Sequence, residues 1–323
     1  MHFSNLIGVF LALGRLTSAA WTTLSPLPIG TLQEHITLPI STSLITVGGL
    51  VSNGSTTALT LLYDIPTNAW TRRTNSPTGL NHPNAVVHAG KVYLLGGLTG
   101  ASGWRASPNS WVYDPATDTW GDLVAMPSAE ARGSAASAVH NGTVYLAGGI
   151  PSSGGRTMDL VTAYDIAGNK WVTLPENVRK MPGARDHAAY ATVGTKFYVL
   201  GGRADGVTAV KDTVFVLDMA DLSKGWRTAE AKMPTARGGL VAAAVGDKIY
   251  TFGGEGNPAP NTRGVFPETE VFDTVGEKWE KLPAMALPRH GTSAAAVDGK
   301  IYIPGGGIVQ GMGATEVVDV FTP

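Results

Sequence analysis

Seven histidines, a set of evenly spaced arginines and no cysteine bound the chemistry open to this chain. Arg132, Arg185, Arg237 and Arg289 recur at intervals of 53, 52 and 52 residues. Around the same repeat position stand Gln33, Glu34, His35, Asn81, His82, Asp186, His187 and His290. Imidazoles transfer protons near neutral pH, and guanidinium groups hold carboxylates or oxyanions in a fixed fork. A guanidinium can equally bond backbone carbonyls and serve only the fold. Both readings of the arginine column stand. His35, His82, His187 and His290 come from four different repeats and lack the tight spacing of a metal motif, so no metal site is expected. His88 and His140 fall near turns and are expected to be solvated. Arg203 and Glu255 each follow a Gly-Gly pair and add to a ring of polar groups around a small-residue channel. Trp104, between Gly103 and Arg105, is placed to cap a pocket or cover a sheet edge. No phosphate loop, nucleophile elbow or zinc signature is present.

The elements that must position these groups come from a repeat. Gly-Gly pairs close an apolar strand at Gly48, Gly96, Gly148, Gly201, Gly253 and Gly305. Downstream of the first five, a second strand ends in an aspartate, as in Tyr63-Asp64 and Phe272-Asp273, and a tryptophan follows at Trp70, Trp120, Trp171, Trp226 and Trp279. Gly246-Asp247 and Asn141-Gly142 mark tight hairpins. The strand before each Gly-Gly strand is rich in small residues, such as Ala242-Ala243-Ala244 and Ala294-Ala295-Ala296. Strands that converge on an axis need small side chains. Six units of about 50 residues therefore predict an all-β chain of six four-stranded blades. The sixth unit lacks its tryptophan, and Trp21-Thr22-Thr23-Leu24 matches Trp279-Glu280-Lys281-Leu282. The N-terminal strand is expected to complete the last blade and close the ring. Function is expected on the face carrying the long loops, among them Leu98 to Ser110, Glu255 to Pro267 and Arg203 to Ala209.

Residues 1–20 read as a secretory signal: Leu6 to Leu13 is apolar, and Ser18-Ala19-Ala20 precedes Trp21. Residues 21–323 form one domain. Secretion makes Asn53-Gly54-Ser55 and Asn141-Gly142-Thr143 glycosylation acceptors. A net charge of −1 gives no basic footprint for nucleic acid or an anionic membrane. The expected partner is a small molecule.

The ordered Gly-Gly, aromatic-Asp and Trp features across residues 21–323 resemble the kelch repeat, which implies a six-bladed kelch-type β-propeller. Secreted kelch enzymes similar to galactose oxidase need a cysteine-linked tyrosine, which this chain cannot form. Single-domain secreted propellers of this size resemble the fungal pericyclases that build tropolone-sesquiterpenoids. That resemblance implies a catalyst without cofactor or metal. It would dehydrate a hydroxymethyl-tropolone to a quinone methide and join it to an olefin such as a humulene by hetero-Diels–Alder addition. His187 or His290 would move the proton, and Arg185 or Arg289 would hold the tropolone oxygens. His35, His82, Arg132, Arg203, Arg237 and Trp104 would line the substrate site. A second resemblance, to the bacterial kelch mutarotase of sialic acid, implies Glu255 as base with Arg203 or Arg237 on the sugar carboxylate. Non-catalytic binding of extracellular glycans or proteins is the third reading. A deep, partly apolar cavity favours the first, and a shallow polar bowl the others.

Overall fold

The structure is a computed structural model, and it describes residues 19–100 and 103–323. The expected signal segment lies outside the described residues except for Ala19 and Ala20. Six four-stranded antiparallel sheets are arranged as blades. Blade five is representative: Val241–Val245, Lys248–Phe252, Thr269–Asp273 and Lys278–Leu282 pair in sequence order. The first and second strands are joined by Gly246-Asp247, with Gly246 at φ +57°. Each blade has an apolar face and cannot stand alone, so its core lies between blades. Phe197, Phe215 and Leu217 of blade four, for example, pack on Ala136, Tyr145 and Ala163 of blade three.

The repeat tryptophans stitch neighbouring blades as well as packing between them. Trp70, Trp120, Trp171 and Trp226 donate their indole N–H to the carbonyls of Ser25, Thr74, Val124 and Val178, at 3.0–3.1 Å. Each acceptor lies on the segment that leads out of the preceding blade. Trp21 does the same toward Pro283, at 3.2 Å.

Closure follows the expected route. Ala20–Thr23 pairs with Val318–Thr322, with Trp21 opposite Phe321, and becomes the outer strand of blade six. The strand begins one residue before the expected mature terminus. Trp21 packs on Phe252 of blade five and on Phe321, with ring centroids 5.5 and 5.0 Å apart.

Two departures from the sequence reading concern loops. Leu98 to Ser110 is largely a hairpin, because the ladder of Lys91–Thr99 and Arg105–Asp114 runs past Gly97 after an irregularity between Ser107 and Ser110. The segment after the sixth Gly-Gly forms a small ribbon, Gly307–Val309 with Met312–Ala314. It lies over the loop face, and Gln310 N–H donates to Arg263 O.

Replacing Trp21 with alanine removes the inter-blade wedge and one linker bond. Urea unfolding of Trp21→Ala is expected to show a loss of about 2 kcal/mol. Val275→Ala, at a residue 78% exposed, should stay within about 0.5 kcal/mol of the parent. Equal effects of the two would contradict closure by this strand.

Candidate active site

Aligning the six units brings Glu34, His82, Ser134, His187, Gly239 and Gly291 to one repeat position, just before the first strand of each blade. All six have left-handed backbone, with φ between +48° and +63°. That conformation turns the peptide groups toward the neighbouring blade. His82 N–H donates to Glu34 O, Ser134 to His82 O, Gly239 to His187 O, Gly291 to Gly239 O and Glu34 to Gly291 O, at 2.6–3.0 Å. His187 N–H completes the circle through Ser134 Oγ at 3.1 Å. The result is a closed hydrogen-bonded annulus around the propeller axis. Non-glycine residues adopt this conformation at a cost of order 1 kcal/mol each, which the annulus offsets.

The side chains on the annulus and beside it form a second, polar ring. Glu34 Oε2 lies 3.1 Å from His82 Nε2, and the His82 and His187 rings stand edge to face at 4.8 Å. Arg203 bonds Asp186 at 3.0 Å and pairs with Glu255. One of its nitrogens is almost equidistant from the two ring nitrogens of His187, at 3.1 and 3.2 Å. Only a position over the ring face satisfies both distances without colliding with the carbon between the nitrogens. Glu255 also accepts from Gly311 N–H at 2.8 Å and faces His290 Nδ1 at 3.6 Å. His290 Nδ1 faces Glu34 Oε1 at 3.7 Å and so returns the circuit to its start.

Burial and charge set the protonation states. Burial pushes the His82 imidazole down to about 3, with Arg203 adding to the effect. Burial and Arg203 lower His187 as well. For Asp186, burial acts upward but is outweighed by the bonds from His187 and Thr157 and by Arg203, so the carboxyl stays ionised. For Glu255, burial also acts upward, and the interactions with His290, Arg203 and His187 carry the net shift downward. With His82 and His187 neutral, the Asp186 and Glu255 carboxylates share the Arg203 guanidinium.

Below the annulus, on the axis, lies a cavity of about 430 Å³. Its walls are the first strands, with Ala188, Ala189, Ala242 and Ala294 among small apolar residues, and Tyr190, Ser137 and Ser293 as polar exceptions. Glu34, His82 and His187 form one end, and half-exposed Val87, Val139 and Ala296 lie at the hairpin end. The deeper apolar cavity is therefore the channel, not a bowl on the loop face. The reason is steric: the ribbon and Trp104, whose ring packs 5.3 Å from His82, lie over the loop side of the ring. A second cavity of about 540 Å³ on the loop side is lined by Arg156, Thr157, Asp186, Arg203 and Asp205.

The sequence-derived candidates separate cleanly. His82, His187, His290, Arg203, Glu255 and Trp104 come together. The arginine column does not reach the channel. Arg132 bonds Leu146 O, Glu130 O and Thr162; Arg185 bonds Ala184 O and Thr213 and lies over Phe215 at 4.6 Å. Arg237 pairs with fully buried Glu270 at 2.7 Å, and Arg289 with Asp319 at 2.9 Å. These guanidiniums occupy the blade interiors, two residues before the annulus. His35, one residue past the annulus, borders the channel but makes no contact with the polar ring. His35 is buried against Gly49 and Gly305, and burial lowers its imidazole to about 4. Glu34, His82 and His187, which have no tight spacing along the sequence, bring donor atoms within 4.8 Å of one another. Glu34, Asn81 and Asp186 carry no assigned role in the sequence reading. The register of the repeat is the signal that finds them, because it aligns Asn81-His82 with Asp186-His187. Asn53 and Asn141 are both exposed.

A family model described as the Attractin/LZTR1 beta-propeller matches residues 44–312. Kelch-like protein terF of Aspergillus terreus is 37% identical over 318 residues, covering 94% of this chain and 68% of that protein. The chain belongs to the kelch-type β-propeller family. N-acetylneuraminate epimerase of Vibrio cholerae matches this kelch chain at 32% identity over 131 residues, covering 39% of this chain and 31% of the epimerase. The solved structure of YjhT superposes with a TM-score of 0.77 at 17% identity, over 93% of this chain and 97% of that one, and it shows the shared kelch fold alone.

The blade-interior role of the arginines is testable. Arg237→Met leaves the Glu270 charge buried without its partner and should destabilise by about 3–5 kcal/mol. Adding Glu270→Gln should recover more than half of that loss in urea unfolding. No recovery would mean that Arg237 acts other than through this pair.

Proposed function

We propose that this kelch propeller is a catalyst acting on a small, largely apolar organic molecule whose oxygenated end meets the polar ring. The observation that carries this reading is the channel, an apolar cavity of about 430 Å³ that ends on Glu34, His82 and His187. Cavities of this size and composition, with a few convergent polar groups, suit small ligands rather than peptides. The resemblance to the tropolone-sesquiterpenoid pericyclases gives the reaction its form. A proton reaches the leaving hydroxyl of a hydroxymethyl-tropolone, the C–O bond breaks, water departs, and the ring hydroxyl gives up its proton. The quinone methide then forms one C–C and one C–O bond with an olefin, with no net redox change.

The ring offers the His82 and His187 imidazoles and the Glu34 carboxylate at one end of the channel for the two proton transfers. Arg203, over the His187 ring, supplies positive charge where oxygen becomes anionic. The alanine-lined walls hold the apolar partner in register, and such positioning can contribute several kcal/mol to the barrier reduction. Secretion fits a product made for export and belongs to the same proposal.

The Arg203–Glu255 pair and the partial match to N-acetylneuraminate epimerase favour a second reading, ring opening of an acidic sugar at the loop-side cavity. Glu255 is 1% exposed and already holds Arg203 and Gly311. That arrangement leaves it little access to a substrate.

Incubation of the purified protein with a tropolone alcohol and humulene is expected to raise the rate of adduct formation and fix its stereochemistry. His187→Ala and Glu34→Ala should each lower the initial rate by about 100-fold or more. A parent protein that matches the protein-free control, or variants that match the parent, would overturn the reading. Acceleration of sialic acid anomerisation instead would establish the second.

A further inference from the structure

The hydrogen-bond partners of the ring fix where its lone pairs point. Thr56 donates to Gly100 O at 2.7 Å, so its oxygen is free to accept from Asn81 Nδ2 at 2.8 Å. This sets the Asn81 amide with its oxygen toward His82 Nδ1 at 2.6 Å. His82 Nδ1 therefore carries the hydrogen, and Nε2 presents a lone pair to Glu34 Oε2 at 3.1 Å. His187, two blades further round the ring, repeats the pattern. Its Nδ1 donates to Asp186 Oδ1 at 2.6 Å, and Arg203 lies over the ring face, which leaves the in-plane lone pair of Nε2 unengaged. Both imidazoles are thus oriented on Nδ1 by the side chain of the preceding residue, the arrangement that holds metal-binding histidines in place.

A second observation points to the same spot. His290 Nε2 lies 2.9 Å from Val309 O, which puts its hydrogen there. Its Nδ1 is fully buried, has no hydrogen-bond partner, and faces Glu34 Oε1 at 3.7 Å. No N–H or O–H among the described residues donates to the Glu34 carboxylate. Lone pairs of three imidazoles and a carboxylate thus meet with no donor between them, a repulsive arrangement unless a positive charge sits there. A proton shared by Glu34 and His82 relieves one contact and leaves the other lone pairs facing the same space. Glycine on blades five and six keeps that space open: a Cβ on Gly291 would lie 2.2 Å from Glu34 Oε1.

We propose that Glu34, His82 and His187 bind one divalent transition-metal ion of the zinc class, with a fourth coordination position open to the channel. Two imidazole nitrogens and one carboxylate oxygen are a ligand set that zinc accepts, with the remaining position left for an oxygen of a small molecule. The ion would sit on the propeller axis between blades one, two and four. The site goes beyond the catalytic reading, in which the same lone pairs move protons in the ion-free protein, and its test is separate because binding is read without any substrate.

The test uses the full chain stripped with chelator and titrated with Zn²⁺ by calorimetry and with Co²⁺ by visible absorption. The expected result is one Zn²⁺ per chain with micromolar or tighter affinity and the d–d bands of low-coordinate Co²⁺. His82→Ala and His187→Ala should abolish both signals, and His88→Ala, far from the ring, should change neither. Asn81→Ala, which touches the ion only through His82, should weaken Zn²⁺ by about 10–100-fold. If His82→Ala or His187→Ala does not fold, parent stoichiometry and Asn81→Ala decide. Absence of stoichiometric binding to the parent, or binding that survives loss of both histidines, overturns the site.

Discussion

The annulus of hydrogen bonds on the propeller axis is the constraint on which the rest of the site depends. Six residues in left-handed conformation pass N–H to acceptor from blade to blade, and the circle closes only with all six blades present. Each residue on it has a fixed backbone orientation before any side-chain contact is made. Evolution can then vary the side chain at one repeat position without disturbing the blades. In this chain that position carries Glu, His, Ser, His, Gly and Gly. The asymmetry creates chemistry from a nearly symmetric scaffold: polar groups cluster on blades one to four, and glycines clear the remaining sector.

Packing at the periphery supports the same geometry. The indole N–H bonds tie five of the six outer strands to the preceding linker, Trp279 of blade five being the exception, and the first described strand supplies one of them. The buried arginines act one level further in. Arg237 and Arg289 tie the entry to the first strand to the second and third strands of their own blades. They therefore hold the segment that leads into the annulus without touching a ligand. Such buried, partnered charges contribute less to net stability than to a single arrangement of the chain, because desolvation offsets much of their attraction.

Much of this was legible in the sequence. Gly-Gly spacing, the aromatic-Asp strand and the tryptophans give six blades, and the displaced tryptophan motif gives the closure. The small residues of the inner strands foretell the channel. The roles of individual polar residues were harder to read. Arg185 and Arg289 stand two residues from the annulus, and a shift of that size decides between blade interior and axis. His35 and His290 flank the annular position on opposite sides, so similar residues took different fates. Glu34 and Asp186 matter through what they hold, and a linear sequence does not display a partner on another blade. The ribbon over the loop face has no repeat counterpart and left no periodic signal.

The site depends on imidazoles that are locked before any ligand arrives. Long-range ¹H–¹⁵N correlation spectra of histidine-labelled protein read the tautomer of each ring directly. Metal-free protein should show His82 and His187 with the hydrogen on Nδ1, and His290 with it on Nε2. If His82 and His187 instead carry the hydrogen on Nε2, or average rapidly between forms, their lone pairs do not converge on the axis and the account is contradicted.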